Sequence, residues 1–274
     1  MSRLITVRRH GSIPSGNGGE VCMVLGPMKS GIVAAALVCL AGSPTLARDL
    51  VIGVEAIDYS PVYGVRDGHF QGAAREILDA FAVAKGHRLT FQALPVKRLY
   101  AELGRGGIDL KFPDSPDWAP ALRQGRSPVF SKPVINYIDG TIVRAEVSAM
   151  GVEGIHSLGT IAGFTPFAWG ERLKSGAVEL KENSSFEQLL RQVQTRRIDG
   201  AYGNVAVALN TADSIPGMAG GLAFAPNLPH VVDSYRLSSV GAPELVAEFD
   251  DWLGKNGKLV AEIIARTGAE KGMH

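Results

Sequence analysis

Two aspartates sit among aromatic rings in the stretch Lys111-Phe112-Pro113-Asp114-Ser115-Pro116-Asp117-Trp118. Acids flanked by rings suit a polar or cationic ligand. The same run also reads as a Pro-rich surface loop with Asp in turn positions. A guanidinium stands close by in Leu94-Pro95-Val96-Lys97-Arg98. Arg98 can clasp a carboxylate through two parallel hydrogen bonds, or it can be a solvated helix-face residue; Lys97 reads as solvent-facing. Gly163-Phe164-Thr165 lies between an expected strand and an expected helix start, where free N–H groups and the helix dipole favour an anion. Thr165 also reads simply as an N-cap. Tyr59 offers ring area and a hydroxyl, for a ligand or for packing.

Catalytic signatures are missing. His69, His87, His156 and His230 show no H-E-x-x-H or other ligand spacing. There is no G-x-S-x-G nucleophile elbow and no P-loop, and the Gly-rich run 217–221 has no Lys-Ser/Thr after it. His69 reads as a loop residue and His230 as a packing residue. No cofactor and no metal site is implied.

The 274 residues are 46% apolar and 20% charged, enough apolar material for a buried core and too much for a disordered chain. The formal net charge of +1 argues against a dedicated nucleic-acid binder, which carries a basic face. Residues 31–41, GIVAAALVCLA, form an apolar run too short for a membrane span. Met28-Lys29 precedes it and Gly42-Ser43-Pro44-Thr45-Leu46-Ala47 follows, the layout of a secretory signal peptide cut after Ala47. Met28 then reads as the true start, residues 1–27 as a non-native upstream extension, and the destination as the periplasm. Both cysteines, Cys22 and Cys39, fall before the cut, so the remainder has no disulfide and no Cys-ligated metal. Without Arg3, Arg8, Arg9, Lys29 and Glu20, 24 basic and 26 acidic residues remain, a net charge of −2.

The elements that must position these residues alternate strand and helix. Apolar runs at 50–54, 88–91 and 108–112 predict strands. Between them, helical spacing at 73–85 (Ile77, Leu78, Phe81, Ala82, closed by Gly86) and at 96–104 (Leu99, Tyr100, Leu103) predicts helices. This β-α-β-α-β order argues for a parallel sheet with crossover helices. A second round follows. Strands are expected at 160–162, 177–180 and 198–202, a helix opens at Thr165-Pro166, and another sits behind a Ser184/Glu187 capping box. Pro243 and Asn256 open two C-terminal helices, with Trp252 in the core and Gly268 as the stop.

Several pieces, in this order and spacing, carry a resemblance: Val51-Ile52-Gly53-Val54, Tyr59-Ser60-Pro61, Asp67-Gly68 with Phe70-Gln71-Gly72, Gly107-Ile108-Asp109, Phe130-Ser131-Lys132-Pro133-Val134 and Arg197-Ile198-Asp199-Gly200-Ala201-Tyr202. The chain from Leu50 to Gly268 resembles the periplasmic solute-binding proteins of family 3, the amino-acid-binding type that serves ABC transporters. The resemblance implies a two-lobed α/β fold (type II), with two parallel-type sheets, two hinge strands and a ligand cleft. Lobe 1 would comprise residues 48–140 and 225–274, and lobe 2 residues 141–224, with crossings near 138–144 and 224–234. Open α/β sheets bind ligands beyond the C-terminal ends of their strands, so the loops of both lobes would face one cleft that closes by hinge motion.

The resemblance implies ligand-binding roles for Asp58, Tyr59, Arg98, Asp114, Trp118, Arg123, Gly163, Thr165 and Asn204. It also shows departures. Amino-acid binders of the family carry Thr-x-x-Arg to grip the α-carboxylate. Here the loop ends Ala121-Leu122-Arg123-Gln124-Gly125-Arg126, so Arg123 stands at about the right distance without its Thr. Asn204 replaces the Asp that pairs with the ammonium, and an amide cannot supply that charge. Tyr202 alternates away and reads as core. The expectation is a monomeric, non-enzymatic binding protein that passes a small polar ligand, amino-acid-like or carboxylate, to an inner-membrane ABC permease. Two alternatives remain: a sensory or accessory module for a membrane receptor, and a dehydratase-type enzyme using Asp58, Asp114 or Asp117 as general acid or base. If Arg98 grips a carboxylate, Arg98→Ala weakens binding at least about tenfold.

Overall fold

A computed structural model describes residues 47–118, 120–123 and 125–273. The upstream extension, the leader and both cysteines fall outside the described residues, apart from Ala47 at the expected cut.

The chain begins with β1 (Asp49–Glu55), continues through the short β2 (Asp58–Tyr59), β3 (Tyr63–Arg66) and β4 (His69–Gln71), and enters α1 (Ala73–Lys85). Then come β5 (Arg88–Leu94), α2 (Val96–Arg105), β6 (Leu110–Asp114), β7 (Val129–Phe130) and the long β8 (Ile135–Arg144). β9 (Ser157–Ile161), α3 (Gly170–Lys174), β10 (Glu179–Asn183), α4 (Phe186–Gln194), β11 (Gly200–Asn204) and α5 (Val205–Ser214) follow. β12 (Leu222–Phe224), β13 (Val231–Ser239), α6 (Pro243–Lys255) and α7 (Gly257–Thr267) complete it. Among the described residues no helix is long and apolar enough to cross a membrane.

Sheet order is β10-β9-β11-β8-β13-β6-β1-β5. The expected parallel βαβ units are present at both ends: β1 pairs in parallel with β5 and β6, and β9 with β10 and β11. The middle is antiparallel. β13 pairs with β8 from Val231 to Tyr235, then shifts register between Arg236 and Ser238 and pairs onward with β6. β8 pairs with β13 up to Asp139 and with β11 from Asp139 to Ile142. These two strands join the parallel sheets into one ladder.

The two parallel units share a local device. In β1 a Cβ at Gly53 would stand within 2.6 Å of Leu99 and Ile108; in β9 a Cβ at Gly159 would stand within 2.6 Å of Leu189 and Ile198. A bare backbone at these points lets the crossover helix lie against the strand. In both units the Leu precedes the Ile by nine residues, and an Asp follows the Ile. Asp109 Oδ2 accepts the Val51 N–H at 2.7 Å, and Asp199 Oδ2 accepts the Ser157 N–H at 2.8 Å. Each carboxylate ties the start of its own strand to the neighbouring one.

The structure shifts several expected boundaries. Strands begin two residues later than the apolar runs suggest, at Leu110 and Gly200, because Ile108-Asp109 and Ile198-Asp199 serve as the packing and tying residues before the ladder. β9 starts earlier, at Ser157, where Asp199 fastens it. β10 runs over 179–183 rather than 177–180: it is an exposed edge strand held by pairing with β9, and buried Val178 anchors the turn before it. Ser185, not Ser184, caps α4 by accepting the Gln188 N–H. The helix expected at Thr165-Pro166 is a three-residue 3-10 turn, with α3 starting only at Gly170. Trp169 is buried there and its Nε1–H donates to Thr141 Oγ1 at 3.0 Å. The region 58–71, unassigned from sequence, is a three-stranded antiparallel meander. α1, α6 and the Gly86 and Gly268 stops stand as expected.

Asp199 also accepts from the His156 N–H and the Ser157 hydroxyl, and its pKa lies below the ordinary 3.8: although burial pushes it up, these hydrogen bonds more than offset that. A lowered carboxylate contributes stability above its unfolded pKa and loses it as pH falls through the folded value. Asp199→Ala should therefore cost about 1–3 kcal/mol in urea unfolding at pH 7. The gap from wild type should narrow once pH drops below 3.8.

Candidate functional site

The strands of both parallel units end at the middle of the molecule, and a cavity of about 80 Å³ lies there. Its wall is aromatic. Tyr59 and Tyr63 come from the meander after β1, Tyr100 from α2, Trp118 from the loop after β6, and Tyr202 and Tyr235 from β11 and β13. Phe164, Phe167, Thr160, Gly163 and Thr165 close the β9 side. Two carboxylates reach the wall: Glu55 at the last residue of β1, and Asp139 at the residue where β8 changes partner from β13 to β11.

The rings support one another. Tyr59 stacks on Tyr63 at 5.0 Å between centroids and meets Phe164 and Phe186 edge-on. Tyr235 stacks on Tyr137 at 4.2 Å and meets Trp118 edge-on at 5.7 Å. Their hydroxyls are assigned. Tyr63 donates to Glu55 Oε2 at 2.6 Å and Tyr100 to Asp114 Oδ1 at 2.9 Å. The Tyr59 and Tyr235 hydroxyls accept from the backbone N–H and side-chain amide of Asn204, at 3.3 and 2.8 Å. Tyr202 is the exception: its hydroxyl is shut away from solvent without a partner. Burial raises the pKa of all these phenols, so they stay neutral.

The carboxylates are strained electrostatically. Burial raises Glu55, while Lys111 and the Tyr63 hydroxyl partly offset the rise. Asp139 is pushed up to about 7, first by burial and then by the nearby charges of Asp233 and Glu55. Its Oδ1 is out of solvent and has no hydrogen-bond partner.

Of the residues expected at the site, Tyr59, Trp118, Gly163 and Thr165 are on the cavity wall. The others are elsewhere. Asp58 points outward and is held by Arg66 at 2.8 Å and by Ser60. Arg98 is exposed, 3.8 Å from Glu102. Helical geometry explains this: Val96 and Tyr100, four apart, face the cavity, and position 98 falls on the opposite side. Asp114 is fully buried behind the wall, where it takes hydrogen bonds from Tyr100, Ser238 and the Ser115 N–H. Arg123 donates to the Ser115 and Pro116 carbonyls and lies over the Phe130 ring, so it pins its own loop. Asn204 caps α5 by accepting the Val207 N–H and orients two cavity tyrosines from behind. At the anion site expected at Gly163-Phe164-Thr165, the Gly163 N–H goes to Glu182 and the Phe164 N–H to the Ile161 carbonyl, the Thr165 N–H and hydroxyl are without a partner among the described residues, and the turn that follows is too short for a dipole. Asp117, like Asp58 and Asp114, is not on the wall. Tyr202, expected as core, is both packed and part of the wall.

Sequence reading missed Glu55, Tyr63, Tyr100, Asp139 and Tyr235. One signal was available for two of them. Glu55 ends an apolar strand, and Asp139 interrupts one, so each is an acid where the pattern calls for an apolar residue.

Asp139 gives a pH signature. Its folded pKa lies above its unfolded value of 3.8, so the folded protein holds the extra proton and stability falls as pH rises from about 4 through about 7. Asp139→Asn should remove that loss and raise the unfolding free energy by roughly 2–4 kcal/mol at pH 8. Near pH 4 it should change little. Urea unfolding of both proteins at the two pH values checks this.

No protein-family model matches the chain, and no curated protein matches its sequence. Solved structures do match its fold. An ancestral arginine-binding protein bound to arginine is 18% identical, with a TM-score of 0.64 over 80% of this chain and 97% of that one. An arginine third transport system periplasmic binding protein from Legionella pneumophila is 14% identical, with a TM-score of 0.64 over 81% of this chain and 100% of that one. A histidine kinase sensor domain with similarity to periplasmic binding proteins is 18% identical, with a TM-score of 0.64 over 81% of this chain and 96% of that one. The chain has the two-lobed α/β fold of periplasmic binding proteins, as the sequence resemblance implies.

Proposed function

We propose that the protein is an extracytoplasmic solute-binding protein. It captures a small polar molecule in the cavity between its two parallel units and hands it to an inner-membrane ABC permease. One observation carries the reading: the walls come from the C-terminal strand ends of both units, which is where open α/β sheets bind ligands. In this reading residues 48–140 with 225–274 form one lobe, residues 141–224 the other, and residues 28–47 are the leader that sends a monomer to the periplasm. Lobe closure turns on β8 and β13, and no catalytic step is needed. The three acids considered for a dehydratase, Asp58, Asp114 and Asp117, lie off the cavity wall.

The likeness to a histidine kinase sensor domain favours one second reading, a ligand sensor that docks to a membrane receptor. Both readings require a ligand. A thermal-shift screen of the purified protein against amino acids, amines, small carboxylates and sugars should yield one that raises the melting temperature. At one hundred times its dissociation constant, such a ligand adds about 2.7 kcal/mol of stability. Silence across the panel counts against both readings. Surface variants that abolish uptake but not binding would favour transport, and those that abolish only signalling would favour the sensor. Because Arg98 lies outside the cavity, Arg98→Ala should leave the affinity for any hit within about twofold, as expected of an exposed pair. A tenfold loss in calorimetry would return it to the site.

A further inference from the structure

We propose that the cavity is built for a small organic ammonium ion that carries no carboxylate group; the proposal rests on the binding-protein reading above. The charge on the wall has one sign. Glu55 and Asp139 reach it, and no Lys or Arg does among the described residues. Asp139 Oδ1 is enclosed without any donor, so the structure leaves a buried acceptor to be satisfied by an occupant. The second independent feature is the aromatic wall. Ring faces attract ammonium groups, most strongly where water is excluded. Tyr59, Tyr63, Tyr100, Trp118, Tyr202 and Tyr235 surround the acids from both units.

The missing counterpart is equally specific. An α-carboxylate needs a cation together with free N–H donors; the nearby cations are engaged, and on the Gly163–Thr165 turn Thr165 alone keeps an N–H and a hydroxyl without a partner among the described residues. Lys111 is buried behind the rings of Tyr100 and Trp118, donates to the Pro113 carbonyl and sits 3.5 Å from Asp114. Arg123 is taken by the Ser115 and Pro116 carbonyls, and Arg98 lies outside. The Gly163 and Phe164 N–H groups are also bonded. A carboxylate placed here would be buried without a cation, beside two acids. Asp233 adds negative charge on the same side, where it accepts from Ser115 and Tyr137. An amine, by contrast, gains two carboxylates and a ring cage.

The test compares amines with their parent amino acids, which differ only in the carboxylate: agmatine with arginine, cadaverine with lysine, histamine with histidine, tyramine with tyrosine. Choline and tetramethylammonium extend the series to methylated cations. Calorimetry and melting curves are run at pH 8 on the wild-type protein and on Asp139→Asn and Glu55→Gln. The expected result is that at least one cation binds, about tenfold or more tightly than its parent amino acid where it has one. Asp139→Asn should weaken that cation by a similar factor, while its ligand-free melting temperature is not lowered. Glu55→Gln serves as the second variant should Asp139→Asn fail to fold. A parent amino acid binding as tightly as its amine overturns the proposal, as does a cation indifferent to both substitutions. Binding of carboxylates or sugars alone also overturns it, yet leaves the binding-protein reading standing. No response to any class removes both.

Discussion

The molecule depends on the antiparallel ladder between β8 and β13. Each parallel unit is an ordinary βαβ arrangement with its own helices, and neither reaches the other except through these strands and the contacts they permit. The ladder is short, five residue pairs from Val231–Asp139 to Tyr235–Ile135, and it ends at both sides in a change of partner. On β13 the change falls between Tyr235 and Arg236, just before a register shift in the pairing with β6; on β8 it falls at Asp139. Asp139 is therefore carried by the backbone segment common to both units. Its carboxylate stays on the cavity wall because the pairing on either side of it fixes the residue's facing.

That position explains why the cavity needs contributions from so many elements. The strand ends of both units converge there, so most wall residues sit on strands, at a helix start or in the loops directly after strand ends, as Trp118 and Gly163 to Thr165 do. Tyr59 shows the coupling. It leaves the meander after β1, packs on Phe164 and Phe186 from the other unit, and accepts the Asn204 N–H at the start of α5. Asn204 also holds Tyr235 on β13 and caps its own helix. One buried asparagine, through its backbone N–H and its side-chain amide, thus orients two rings and secures one helix start. Removing any partner would leave buried polar groups unpaired, at a cost of about 1–3 kcal/mol each.

Much of the fold was legible in the sequence because its units repeat simple patterns. Helical spacing at Ile77, Leu78 and Phe81, the glycines that close helices, and the Gly-Ile-Asp and Ile-Asp-Gly words all have direct physical meaning. Gly53 and Gly159 admit a helix, and Asp109 and Asp199 tie strands. Boundaries were less legible, because an Asp that fastens a strand from outside looks like part of the strand's apolar run. The site was less legible still. A family pattern pointed to Arg98 and Arg123, but helix phase turns the first to solvent and loop carbonyls occupy the second. Glu55 and Asp139 were hidden in strands, where acids are not expected. Tyr100 showed only as part of a helix's apolar face, Tyr63 and Tyr235 carried no pattern that marked them, and all three are buried. Only the three-dimensional meeting of strand ends reveals that this part of the core has a hollow.

The same hollow accounts for the electrostatics. Burying acids without partners is unfavourable, and a fold retains them only where something offsets the cost. For Glu55 the offset is internal: the Tyr63 hydroxyl donates to it and Lys111 lies near enough to lower its pKa. Asp114 is satisfied more fully, by Tyr100, Ser238 and the Ser115 N–H. Asp139 has no such arrangement at Oδ1, and its neighbours Asp233 and Glu55 make its charge harder to hold. Proton uptake is the remedy the protein supplies by itself. The cation we propose as occupant would be the other, competing directly with the proton for the same carboxylate. On that proposal, occupancy and protonation of Asp139 would be linked, with the aromatic wall setting which cations displace the proton.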